Sequence, residues 1–161
     1  MPHDIIGGQV RVIENASVSG VAPAGSVWSS VNDMAKWSML LLNQGKAGDR
    51  VLLKPETVAL MSRNAMGDIS CRPLKSHIPG RSTDMNFVDG MKWGLTFMIN
   101  PAAFPGARSA GSLSWGGLAN SYYWIDPAAG LGGVFMSQLS PFGDPGALAA
   151  FGALERMAYR L

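Results

Sequence analysis

Between Ser30 and Gly45 the apolar positions fall on one face of a helix. Val31, Met34, Ala35, Leu41 and Leu42 recur at helical spacing, and Trp37 and Leu40 widen the stripe. Ser30 suits an N-cap, Asp33 three residues on completes a capping-box pattern, and Gly45 supplies the left-handed residue on which helices end. After a short apolar run at Val51-Leu52-Leu53, a second helix is predicted from Pro55, carrying Val58, Leu60 and Met61 and fading near Asn64. A third begins at Asp144-Pro145, a cap followed by proline at the first helical position. Leu148, Phe151, Leu154, Met157 and Leu161 follow it at near-helical spacing.

The period changes to two in the last third of the chain. Trp93, Leu95, Phe97 and Ile99 alternate with Lys92, Gly94, Thr96 and Met98, which predicts one half-buried strand over 91–99. The stretch 111–127 reads as two strands meeting at a bend that carries Gly116-Gly117, the second strand covering 121–125. A tight turn at 126–130 leads to a third strand predicted over 131–139, and connections this short imply antiparallel neighbours. A glycine pair inside an apolar, aromatic run weakens a plain strand. What it offers is close approach by another backbone or a ligand, beside Trp115 as a flat wall.

These elements predict an α+β fold: an antiparallel sheet of three to five strands covered by a C-terminal helix and two upstream helices. The chain divides into an arm over 1–25, in which only Gln9 to Glu14 alternates like a strand, helices over 26–64, a long loop over 65–90, and a sheet with its terminal helix over 91–161. The loop, broken by Gly67, Pro73, Pro79 and Gly80, is long enough to be either functional or disordered. All of this fits a single domain of 161 residues.

Composition narrows the function classes. A net charge of +2 from scattered basic residues argues against nucleic acid or an anionic membrane as partner. Cys71 stands alone, so no internal disulfide forms. His3 and His77 have no carboxylate or cysteine at ligand spacing, and neither a metal nor another cofactor is expected. No signal-like region follows Met1 and no apolar run approaches ~20 residues, so no membrane span is expected and the cytoplasm is favoured.

Three stretches, in order, resemble the C-terminal part of the serine β-lactamase-like family, which includes class C β-lactamases, D-Ala-D-Ala peptidases and family VIII esterases. The run from Ala22 to Trp37 resembles a segment entering a late helix. Leu53 to Met61 resembles the next helix, with Lys54 where a serine commonly caps. Ser114-Trp115-Gly116-Gly117, followed by Tyr123-Trp124-Ile125-Asp126-Pro127, resembles the third active-site strand and its neighbour. The resemblance implies the α/β sandwich part of that fold and an oxyanion-hole strand at Trp115, Gly116, Gly117 and Leu118, with Leu118 giving one N–H and the nucleophile the other. Asn120 is placed at the cleft. Trp115 stands where penicillin-recognising members carry lysine, so the cation for a β-lactam carboxylate is missing. Ester or amide substrates without that acid group are expected ahead of a β-lactam.

The family nucleophile is the serine of Ser-x-x-Lys. Three residues before the five lysines stand Asp33, Asn43, Val51, Arg72 and Asp89, and Tyr-x-Asn is also missing. The sequence therefore reads as the C-terminal part of a longer serine hydrolase, inactive alone. Two alternatives are a non-catalytic relative that binds a ligand or partner, and a remnant that self-associates through an exposed sheet edge.

Overall fold

The computed structural model describes residues 3–12 and 27–161. Among the described residues three α-helices form: α1 (Val31–Leu42), α2 (Pro55–Ser62) and α3 (Pro145–Ala158). Ser30 Oγ accepts from the Asp33 N–H at 3.2 Å and Asp144 accepts from Ala147 at 2.8 Å, so α1 and α3 start on true side-chain caps. Lys54 gives α2 none. The buried face of α3 runs through Ala147, Phe151 and Glu155. Leu154, Met157 and Leu161, expected in that stripe, stand exposed.

Among the described residues ten strands make three sheets. The N-terminal arm contains a hairpin, β1 (His3–Ile6) and β2 (Gln9–Val12), turned by Gly7 and Gly8 at φ 58° and 78°. The part of the expected 9–14 strand beyond Val12, and Ala22 to Ser26 of the segment used for the resemblance, lie outside the described residues. A small ladder, β3 (Lys46–Ala47) with β4 (Arg50–Val51), follows α1. The main sheet is antiparallel throughout: β5 (Lys92–Trp93), β6 (Met98–Ile99), β7 (Leu113–Gly117), β8 (Ser121–Asp126) and β9 (Leu131–Phe135), in that spatial order.

Two expected strands are each divided. The 91–99 run folds back on itself as the β5–β6 hairpin. At the fold, Gly94 lies so close to α2 that a Cβ there would sit 2.6 Å from the Met61 carbonyl. The 131–139 run leaves the main sheet after Phe135, and its end, β10 (Leu139–Ser140), pairs in parallel with β1. The 65–90 loop is tied down by a bridge between Leu74 and Met85, by Asp84 bonds to Lys75 and Ser76, and by a short 3₁₀ turn over Asn86–Val88.

Alternate residues of β8 feed two cores. Tyr123 and Ile125 face α1 and α2 in a cluster with Leu41, Val58, Phe97, Ile99 and Leu113. Tyr122 and Trp124 face α3 with Phe142, Ala147 and Phe151. Trp124 enters this second core through β9: a Cβ on Gly133 would meet its indole at 2.0 Å. The sheet is thus covered on both faces, as an α+β sandwich requires.

Candidate functional site

The glycine pair closes β7 in extended conformation, and the bend expected there comes one residue later, in the turn Leu118–Asn120. β7 pairs with β8 along its whole length, from Leu113↔Ile125 to Gly117↔Ser121. It pairs with β6 only at Leu113 and Ser114. Beyond Ser114 one margin of β7 has no strand neighbour among the described residues. Backbone groups of successive ladder residues point to alternate sides. Gly117 accepts from the Asn120 N–H at 2.9 Å and so faces β8; Gly116, the residue before it in the ladder, turns its N–H to the free margin.

The two glycines have different causes. A Cβ on Gly116 would lie 2.4 Å from Cδ1 of Tyr122, its cross-strand partner, so the position must be glycine for the Tyr122 ring to lie flat across the strand. A Cβ on Gly117 would meet nothing within 4 Å. Packing among the described residues does not call for glycine at 117, and among them the space it leaves opens outward.

Trp115 is half-buried and packs edge-on against Trp93, with ring centroids 4.6 Å apart, and 6.3 Å from Phe142. Leu118, at the turn, is 62% exposed. Trp115, Gly116, Gly117 and Leu118 are therefore gathered along one sheet margin. Asn120 is not with them. It has no exposed surface, and its side chain ties the 139–144 segment to the turn. Its Oδ1 accepts from the N–H groups of Gly143 (2.9 Å) and Asp144 (3.1 Å) and from the Tyr122 hydroxyl (2.7 Å). Its Nδ2 donates to the carbonyls of Leu139 (2.8 Å) and Pro141 (2.7 Å). That exhausts its donors and leaves nothing for a ligand, so the expected cleft residue is an internal fastener.

The ionisable groups nearby are structural. Burial pushes the Tyr122 hydroxyl up to about 12, so it stays a neutral donor to Asn120. Asp126 is fully buried. Burial alone would raise its pKa, but bonds from the Ser109 backbone N–H (2.7 Å), the Tyr159 hydroxyl (2.7 Å) and the Ala128 and Ala129 N–H groups (3.0 Å each) hold it below the usual carboxylate range. Among the described residues no three His, Cys, Asp or Glu side chains stand together as a metal site requires.

Sequence reasoning missed one feature. Arg108 and Glu155 form a buried fork, Nε to Oε1 at 2.7 Å and Nη2 to Oε2 at 3.0 Å, with the guanidinium held between the Phe104 and Phe151 rings. The clue was present: Glu155 stands four residues after Phe151, on the buried face of α3. Beside this fork a cavity of about 270 Å³ lies between α3 and the sheet, with Trp115 and Gly116 in its wall.

A family model described as Beta-lactamase matches residues 3–156. Among solved structures the chain is similar to unliganded simvastatin synthase (LovD) from Aspergillus terreus, with 26% identity and a TM-score of 0.76 over 98% of this chain and 41% of that one. The LovD6 mutant of the same synthase gives 24% and 0.75 over 99% and 41%. EstCE1, described as a hydrolase with promiscuous acyltransferase activity, gives 15% and 0.59 over 98% and 42%, a likeness of fold. The chain thus spans 41–42% of the length of these structures. The comparison with curated proteins returns no match.

Proposed function

The chain belongs to the beta-lactamase family, and we propose that it supplies the oxyanion-side strand of a serine acyl-transfer hydrolase whose attacking serine and lysine lie on polypeptide other than these 161 residues. The reaction is acyl transfer from an ester or amide, with a β-lactam as the less favoured substrate because Trp115 occupies the place of a carboxylate-binding lysine. The carbonyl carbon of the substrate would sit against the free margin of β7. As the tetrahedral intermediate forms, the Leu118 N–H donates to the developing oxyanion, and the N–H of the nucleophile supplies the second donor. Gly117 leaves room for the acyl group to lie along the strand, and Trp115 bounds it.

The observation that carries this reading is the unpaired margin of β7 beside a glycine that packing does not require. Without a general base or nucleophile to match the margin, this chain alone should not turn over substrate.

The test is hydrolysis of a chromogenic short-chain ester by this chain alone and by one fusion in which it replaces the matching part of the Aspergillus terreus simvastatin synthase. The chain alone should stay at background while the fusion hydrolyses the ester. Leu118→Pro, which deletes the N–H donor, should lower kcat of the fusion by about 10²–10³. Turnover by the chain alone, or an active fusion indifferent to Leu118→Pro, would refute the assignment.

A further inference from the structure

The cavity beneath α3 adjoins the strand of the proposed acyl transfer, with Trp115 and Gly116 of β7 in its wall, but binding there is read by affinity and needs no turnover. Its walls carry aromatic and thioether groups, among them Phe87 and Met91 of the loop before β5, Met98 of β6, Trp115 of β7, Tyr122 of β8 and Phe151 of α3. Rings give flat apolar walls and methionines adapt their shape to an occupant. At about 270 Å³ the space suits one small molecule.

The polar groups that reach the cavity are few, and their chemistry restricts the ligand. Asn100 is consumed: Nδ2 donates to the carbonyls of Ala102 (3.0 Å) and Ser109 (2.7 Å), and Oδ1 accepts from Ser112. Arg108 and Glu155 neutralise each other in their fork. A carboxylate ligand would have to pull Arg108 away and leave Glu155 buried without its counter-ion, which is strongly unfavourable. An ammonium ligand would do the reverse. Ser114 is different. It is 4% exposed, lines the cavity, and its hydroxyl makes no hydrogen bond among the described residues. Yet it is not a sealed orphan of the kind that Trp124 Nε1 is, so its remaining access is through the cavity.

We infer that this cavity is a binding site for a small, neutral, aromatic molecule bearing one carbonyl acceptor, which the Ser114 hydroxyl meets while the rings of Phe87, Tyr122 and Phe151 enclose the apolar body. The ligand class is the aryl ketone or aryl ester, recognised by shape, neutrality and one hydrogen bond.

The probes are 2-acetylnaphthalene, naphthalene and 2-naphthoate, titrated into the full chain by calorimetry and by tryptophan fluorescence. 2-Acetylnaphthalene should bind saturably at one site. Naphthalene, lacking the acceptor, should bind about three- to tenfold more weakly, and 2-naphthoate at least about tenfold more weakly for want of a charge partner. Gly152→Leu places bulk in the cavity from α3. The nearest atom to a new Cβ there is the mobile Arg156 Nη1 at 3.3 Å, and leucine favours helix over glycine, so the fold should survive. Binding of the ketone should fall at least about tenfold in this variant with no loss of Tm. Ser114→Ala is the second variant: it should bring the ketone to parity with naphthalene and leave naphthalene binding as it was. Absence of saturable ketone binding, equal or tighter binding of 2-naphthoate, a folded Gly152→Leu that binds normally, or a preference for the ketone that persists in Ser114→Ala would each overturn the site.

Discussion

The two faces of the main sheet are built from alternate residues of the same strands, yet they are held by different forces. The face toward α1 and α2 is a cluster of Leu41, Val58, Phe97, Ile99, Leu113 and Ile125, with the ring of Tyr123 packed against it. Ser38, buried beside it on α1, bonds back to the Met34 carbonyl at 3.0 Å and asks nothing of the sheet. The face toward α3 mixes Tyr122, Trp124 and Phe151 with the Arg108–Glu155 fork, the four bonds to Asp126 and a cavity. One face is stabilised by packing, which is non-directional and tolerates repacking. The other is fastened by directional bonds, which fix where β7 and α3 sit while leaving unfilled space between them. A rigid scaffold with a void suits a surface that presents a strand margin; a sealed core suits bulk stability.

The comparison is tested most severely by cutting one tie on each face. Glu155→Ala leaves the Arg108 guanidinium buried without its carboxylate and should cost about 3–5 kcal/mol in a denaturant titration. Ile125→Ala on the packed face should cost about 2–5 kcal/mol, by lost burial plus a cavity. The faces separate in the repair. Arg108→Met combined with Glu155→Leu should recover most of the loss or exceed the parent, because it removes both charges at once. If the double variant is as unstable as Glu155→Ala, the fork is an irreplaceable positioning element, and the contrast drawn between the faces is wrong in kind.

Acid should find the α3 face first. Asp126 is held below the usual carboxylate range in the folded chain, so between the folded and unfolded values the unfolded state binds the extra proton. Its contribution is therefore complete above the unfolded pKa, about 3.9, and is lost as pH falls through the folded one. Urea midpoints should decline below about pH 4, and Asp126→Asn should show a lower plateau at neutral pH with a shallower acid limb. An unchanged acid limb in Asp126→Asn would assign the decline to other carboxylates.

What could be read from the sequence was what is decided locally. Ser30 with Asp33, and Asp144 with Pro145, place helix starts through contacts three residues apart, and those helices stand where the pattern puts them. The alternation over 91–99 misled because Gly94 is glycine on account of carbonyls in and after α2, at Met61 and Arg63, which no window around residue 94 contains. β10 left the main sheet for a partner at His3 and Asp4, more than a hundred residues away. At the candidate site, Trp115, Gly116, Gly117 and Leu118 could be read as one strand end because they are consecutive. The burial of Asn120 could not, since its partners at 139–144 come from another segment. The fork joins residues 47 positions apart and left only an ill-placed charge on an apolar helix face as its trace.

The smallest predicted effect is the most discriminating, because it sets the two faces against each other at adjacent residues. Gly116 lies opposite Tyr122, a member of the α3-side cluster, and Gly117 belongs to the other side of the strand, where that side runs out into open space. Gly116→Ala must push the Tyr122 ring aside, and with it the hydroxyl bonded to Asn120, so it should cost about 1–3 kcal/mol. Gly117→Ala adds a methyl to empty space in ordinary strand backbone and should leave stability within about 0.5 kcal/mol of the parent. In the active fusion the ranking inverts in meaning. Gly117→Ala, innocuous to folding, narrows the path along the free margin and should raise KM or lower kcat. Gly116→Ala should lose activity only in proportion to the folded protein it loses. Should Gly117→Ala be silent in both stability and turnover, nothing passes over that margin, and the second glycine is there for neither face.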